Sequence, residues 1–311
     1  LKLRLLKRKK AERKRNNRRF LIMKQTEIEA LIQLLEDPDE QVFDQVKTKI
    51  LELGLPLIDE LEFAWENTVN PFYQHRIEEV ISSIQKLDLK EKVKLWLERK
   101  SDDLIHGAIL VAKFQYADLN AANIRMQIEN IQQAIWLEMQ ENLTTMEKVN
   151  TFNQVFFGHF GFGGNLKNVF NPQNNLINIC LERKKGSPIM LGIIYLSIAQ
   201  NLKLPMYGVD LPYHFALAFC KYHKTEQELL EDKQRSNILF YINPIAKGII
   251  FSRAEIKDYL KRMKVEEKLS YFRPVSNRSV ILALFTQLRN SYVNSNDQAQ
   301  ADALQEYIDL F

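Results

Sequence analysis

The segment "SPIMLGIIYLSIAQNLKLP", Ser187 to Pro205, constrains this chain more than any other. Ser187 suits an N-cap, and Pro188 suits the first helical turn, where its missing N–H costs nothing. Behind them Ile189, Met190, Leu191, Ile193, Ile194, Tyr195, Leu196, Ile198 and Ala199 are apolar on almost every side. A helix without a polar face must be buried all round, so the rest of the domain has to be built about it. Its N-terminal end presents unpaired amides and the positive end of the helix dipole, which is where many enzymes mount a nucleophile.

The 311 residues are enough for one large domain or two small ones with a real core. No apolar run is long enough to span a bilayer. Two cysteines, Cys180 and Cys220, form neither a disulfide framework nor a zinc spacing, which points to a reducing, cytoplasmic setting. His75, His106, His159, His214 and His223 show no ligand spacing, so neither a metal nor another cofactor is expected. The net charge of +4 hides an asymmetry: residues 1–22 hold eleven Lys or Arg against the single Glu12, a net of +10, and the remainder carries −6. This leader reads either as a basic arm for nucleic acid or anionic lipid, or as a segment ahead of the native start near Met23. A targeting role is disfavoured because no apolar h-region follows. Nucleic-acid binding would rest on the leader alone.

From Thr26 the pattern is helical. In "LLEDPDEQVFDQVKTKILELG" an Asp-Pro-Asp turn separates two amphipathic helices and Gly54 stops the second. This stretch resembles a HEAT-type helical repeat, and a single repeat must stack on neighbouring structure. Helices continue through residues 91–145. After Asn150 the texture changes to Phe, Gly and Asn, and the glycine loop Gly158–Asn165 is expected to be a tight turn anchored by Phe160 and Phe162. It lacks the Lys-Ser/Thr of a phosphate loop. Strand-like runs follow the buried helix at "HFALAF" and "ILFYIN", separated by the polar excursion "KTEQELLEDKQRSN". The end of the chain resembles a tetratricopeptide-type helical hairpin crossing near Ala299–Ala303. The expected fold is α+β: a HEAT-like helical layer over residues 23–105, a central α+β domain over 106–262 and a helical hairpin over 263–311.

The combination of an Asn-rich stretch, the "LER" segment, "GSP" at the helix start and the strand "PYHF" resembles the SirB-type branch of the transglutaminase-like superfamily, over about residues 150–260. The resemblance implies a transglutaminase-like (papain-like) domain. Catalytic members of that superfamily use a Cys at the N-terminus of the central helix, a His on the next strand and an Asp on a further strand. Here those positions fall on Pro188, His214 and Asn243. Proline offers no nucleophile, whereas Asn243 keeps an amide oxygen able to orient an imidazole.

Two function classes follow. The first is a non-catalytic module that binds a protein or peptide partner, with His214, Asn243 and the amides of Ile189 and Met190 as binding groups at the relic site. The alternative is a cysteine- or serine-type hydrolase or acyltransferase using Cys180 or Ser187 with His214. Against it, Cys180 reads as a small apolar residue on a helix face and Ser187 as the helix cap. The sequence is silent on oligomeric state.

Overall fold

A computed structural model describes residues 25–99, 101–224, 228–229 and 237–311. The basic leader, residues 1–22, and most of the polar excursion between the strands lie outside the described residues. The chain divides into two compact units, one ending at Glu91 and one running from Lys92 to Phe311.

In the first unit α1 (Gln25–Gln33), α2 (Glu40–Leu53), α3 (Ile58–Glu66) and the beginning of α4 (Pro71–Arg99) enclose a core that includes Leu35, Ile50, Leu57, Leu61 and Ile77. The Asp-Pro-Asp turn starts α2 because the Asp39 carboxylate accepts the Gln41 N–H at 2.8 Å. Gly54, at φ 75°, ends that helix in a conformation that side chains resist. Arg76 fastens the turn from α4. Its buried guanidinium donates to the carbonyls of Leu35 and Asp37, pairs with Glu40 at 2.8 Å and lies 4.3 Å from the rings of both Phe43 and Phe72. Burial of this charge is tolerated because carbonyls, a carboxylate and two aromatic faces receive it.

The second unit places α5 (Leu104–Lys113), α6 (Ala121–Glu138), α7 (Thr145–Asn153) and a π-helical turn (Gln154–His159) ahead of α8 (Ile177–Arg183) and the central helix α9 (Pro188–Asn201). Every residue from Ile189 to Leu196 is buried. The strands β3 (Met206–Leu211), β4 (His214–Cys220), β5 (Ile238–Asn243) and β6 (Ile249–Phe251) form an antiparallel sheet in that order. α10 (Arg253–Arg262), α11 (Asn277–Asn294) and α12 (Gln298–Ile308) complete the unit. The N–H of Val275 donates to the Gly208 carbonyl at 2.8 Å and covers part of the outer edge of β3.

The pleat assigns the two faces of the sheet. Phe215 and Leu217 point toward α9, while Ala216 and Ala218, with Val209, Leu211 and Tyr241, pack on Ile256 and Leu260 of α10 and on Phe272. α9 also packs against α5 and α11, so its apolar circumference is closed by a sheet and helices. The aromatic anchor of the glycine loop is Phe162, buried and stacked 4.4 Å from Phe156. Phe160 is only half-buried and meets His159 edge-on, because the π-helical turn rotates it off the core.

Gly192 sets how closely α9 approaches the sheet. A Cβ there would come within 2.6 Å of the Phe215 ring. Gly192→Ala should destabilise the second unit by about 1–3 kcal/mol through overpacking, even though alanine is the better helix former by about 1 kcal/mol. Urea denaturation followed by circular dichroism checks this.

Candidate functional site

The N-terminal end of α9 is held by backbone ladders and carboxamides. β1 (Gly163–Gly164) pairs parallel with β2 (Lys185–Gly186), which leads directly into Ser187. Asn174 cross-braces the start: its carbonyl accepts the Ser187 N–H at 2.9 Å, its Oδ1 accepts from Asn165 at 2.9 Å, and its Nδ2 donates to the Asn168 carbonyl at 2.7 Å. Asn175, fully buried, donates to Ser291 Oγ of α11 at 3.0 Å. The asparagines are therefore structural ties around the helix start. Gly164 is needed because a Cβ there would strike Ile245, just beyond β5.

A short connection joins α9 to β3, so helix and strand run in opposite directions. The start of α9, the β3–β4 hairpin and the end of β5 consequently share one end of the layered structure. Pro188 is the first helical residue and half-buried. His214 opens β4, with its ring 6.0 Å from that of Tyr259 on α10 and its side chain hydrogen-bonded to Asn243. Asn243 Oδ1 also accepts the N–H groups of Ile245 (3.2 Å) and Ala246 (3.3 Å), closing the turn after β5. His214 and Asn243 thus share the sheet face that meets α10, one diagonal step apart in the register. α9 lies on the other face, against Phe215 and Leu217. Strand alternation thus brings the imidazole and α9 to the sheet from opposite sides.

The two alternative nucleophiles are occupied or sealed. The Ser187 hydroxyl oxygen accepts the Met190 N–H at 3.3 Å, and the residue is only 5% exposed. This cap corrects the expectation that the Met190 amide is a free donor; of the expected pair, Ile189 N–H is the one that the cap leaves unused. Cys180 is fully buried beneath Gly186, whose added Cβ would lie 2.7 Å from its sulfur. Burial pushes its thiol up to about 12 despite the nearby Lys184 ammonium. Neither Ser187 nor Cys180 is hydrogen-bonded to His214.

Sequence reasoning missed two features at this end. Asp210 pairs with Phe215 across β3 and β4 and so stands on the α9 face; the residue is exposed, and partial desolvation of its carboxyl raises the pKa. The second is an apolar rim: Leu166, Val169 and Phe170 are exposed on the loop that Asn165 and Asn174 tie to the helix start. Tyr213, at φ 60° and 84% exposed, projects from the hairpin. Among the described residues no cluster of three His, Cys, Asp or Glu has metal-binding geometry, and no helix is long and apolar enough to cross a membrane.

Burial lowers the pKa of His214 and the Asn243 hydrogen bond partly opposes that shift. The fold therefore favours neutral imidazole. Its contribution to stability is complete above the unfolded value of about 6.5 and is lost as pH falls through the lower folded value. His214 should titrate below 6.5 by NMR, and Asn243→Ala should lower its pKa further.

The chain matches the transglutaminase-like superfamily over residues 122–286. It is 30% identical to a UPF0162 protein of Xylella fastidiosa over 112 residues, which is 36% of this chain and 40% of that protein. A UPF0162 protein of Pasteurella multocida is 35% identical over 89 residues, covering 29% of this chain and 34% of that protein. Human F-box only protein 21 is 21% identical over 173 residues, covering 48% and 28% respectively. The chain spans two fifths or less of the length of each of these relatives. No solved structure matches it at a significant level. The superfamily match covers more than half of the chain and contains the buried helix and all four strands of the antiparallel sheet: the chain belongs to the transglutaminase-like superfamily.

Proposed function

We propose that the chain is a SirB-type transglutaminase-like protein that has given up catalysis and binds a protein or peptide partner. The observation that carries this reading is Pro188 at the first position of the central helix, with Ser187 committed to capping it. The dipole end of the helix is kept and the group that it would activate is missing. The exposed side chains of Leu166, Val169, Phe170 and Tyr213 support a binding role, since they offer apolar area to a partner. His214 and Asn243 contribute on this reading by stiffening the hairpin that presents Tyr213. HEAT-like packing of α1–α4 and a tetratricopeptide-like pairing of α11 with α12 would supply further binding faces. The reducing cytoplasm suits two buried free cysteines. The hydrolase alternative requires Cys180 to ionise despite its burial, or Ser187 to abandon its cap, with an imidazole that faces the other side of the sheet.

Two measurements test the proposal. The native chain should not be labelled at Cys180 or Ser187 by a thiol probe or a fluorophosphonate under conditions that modify known cysteine and serine hydrolases. Rapid labelling at one site, abolished in His214→Ala, would overturn the proposal. In Pro188→Cys, iodoacetamide reactivity against pH should show a thiol within about one unit below the ordinary 8.5, the scale of a helix dipole alone. That value should be unchanged by adding His214→Ala. A depression of several units that disappears with His214 would mean that an ion-paired catalytic site persists.

A further inference from the structure

A second cleft lies at the opposite end of α9, about 20 Å along the helix from Pro188 by its length. It encloses about 400 Å³, within the range of small-molecule sites. One wall is a single face of α6, with Arg125, Ile128, Glu129 and Gln132 at successive helical spacings; the opposing wall is the last turn of α9.

Hydrogen bonds brace the cleft from several sides. Arg125 pairs with Asp103 Oδ2 at 3.1 Å, while Asp103 Oδ1 caps α5 by accepting the His106 N–H at 2.8 Å. Asn201 donates to Gln132 at 2.9 Å, and Asn277 ties Gln200 to the Asp102 carbonyl at 2.9 and 2.7 Å. Among the described residues of this frame, three charged side chains make no ion pair or hydrogen bond: Arg99 at the end of α4, Asp102 and Glu129. The cleft therefore presents cationic and anionic groups side by side. Arg125 and Glu129 stand one helical turn, about 6 Å, apart. They do not neutralise each other, because Asp103 draws the guanidinium toward α5. The carbonyl end of α9 adds negative potential beside Glu129.

A small ligand that satisfies both signs carries a carboxylate and an ammonium on one carbon. We propose that this cleft binds a free α-amino acid: its carboxylate against Arg99 and Arg125, its ammonium against Glu129 and the end of α9, and its side chain over Ile128. A simple anion would face the free carboxylates of Asp102 and Glu129, and a simple cation would leave the Arg99 guanidinium unpaired. The inference does not depend on the function proposed for the other end of the helix.

The test is saturation-transfer NMR on the full chain with pools of the proteinogenic L-amino acids, followed by calorimetry on the best binder and on its N-acetyl and carboxamide derivatives. At least one free amino acid should bind, and blocking either end should weaken binding about tenfold or more, the value of a charge-assisted hydrogen bond. Glu129→Gln and Arg99→Gln should each weaken binding by a similar factor. Both side chains are exposed and unpaired, so an unchanged melting temperature will show that the fold is intact. No binding by any free amino acid, equal binding by a blocked derivative, or unchanged binding in Glu129→Gln would each overturn the proposal.

Discussion

Burial of α9 on every side is the constraint from which the rest of the second unit follows. A helix with isoleucine, leucine, methionine and tyrosine round its whole circumference has no face to give to water. The sheet closes one side and α5 and α11 close others, with Gly192 removing the one side chain that would hold the sheet away. At the Tyr195 turn the wall is aromatic. Its ring stacks on Phe152 at 3.9 Å, and its hydroxyl donates to Asn153 at 3.0 Å so that no polar atom is stranded. Both candidate sites lie at the ends of this helix.

The superfamily architecture is built here around the buried helix α9 and the antiparallel sheet. A thiol at a helix start needs the dipole, a base within reach and an orienting group. Here the central helix begins with a capping Ser187 and with Pro188, and the hydrogen-bonded His214–Asn243 pair stands on the α10 face of the sheet. That pair has a structural role in the hairpin. A neutral imidazole between Asn243 and Tyr259 fixes the hairpin, and Tyr259 donates to the Pro212 carbonyl at 2.7 Å, bracing the residue before Tyr213.

Much of the local structure was legible in residue order. Ser187-Pro188 announced the helix start, and Asp39 and Gly54 bracketed α2, because caps and stops depend on a few adjacent atoms. The transglutaminase-like core was legible for a different reason, since several motifs had to fall in one order. Arg76 was not legible: its partners are carbonyls about forty residues away, and nothing near it in sequence predicts that a guanidinium would be buried there. The polar cleft at the end of α9 was invisible for the same reason, as Arg99, Glu129 and Asn201 converge only through helix packing.

The sequence by itself determined that α9 would be buried, that a strand would follow it, and that His214 and Phe215 would point to opposite faces, since period and pleat are properties of the local backbone. Only the tertiary structure decided which of those faces meets the helix. That choice rests on whether Gly192 receives the Phe215 ring and whether α10 covers Ala216 and Ala218, and packing between distant elements is settled by shape and volume that no local pattern encodes.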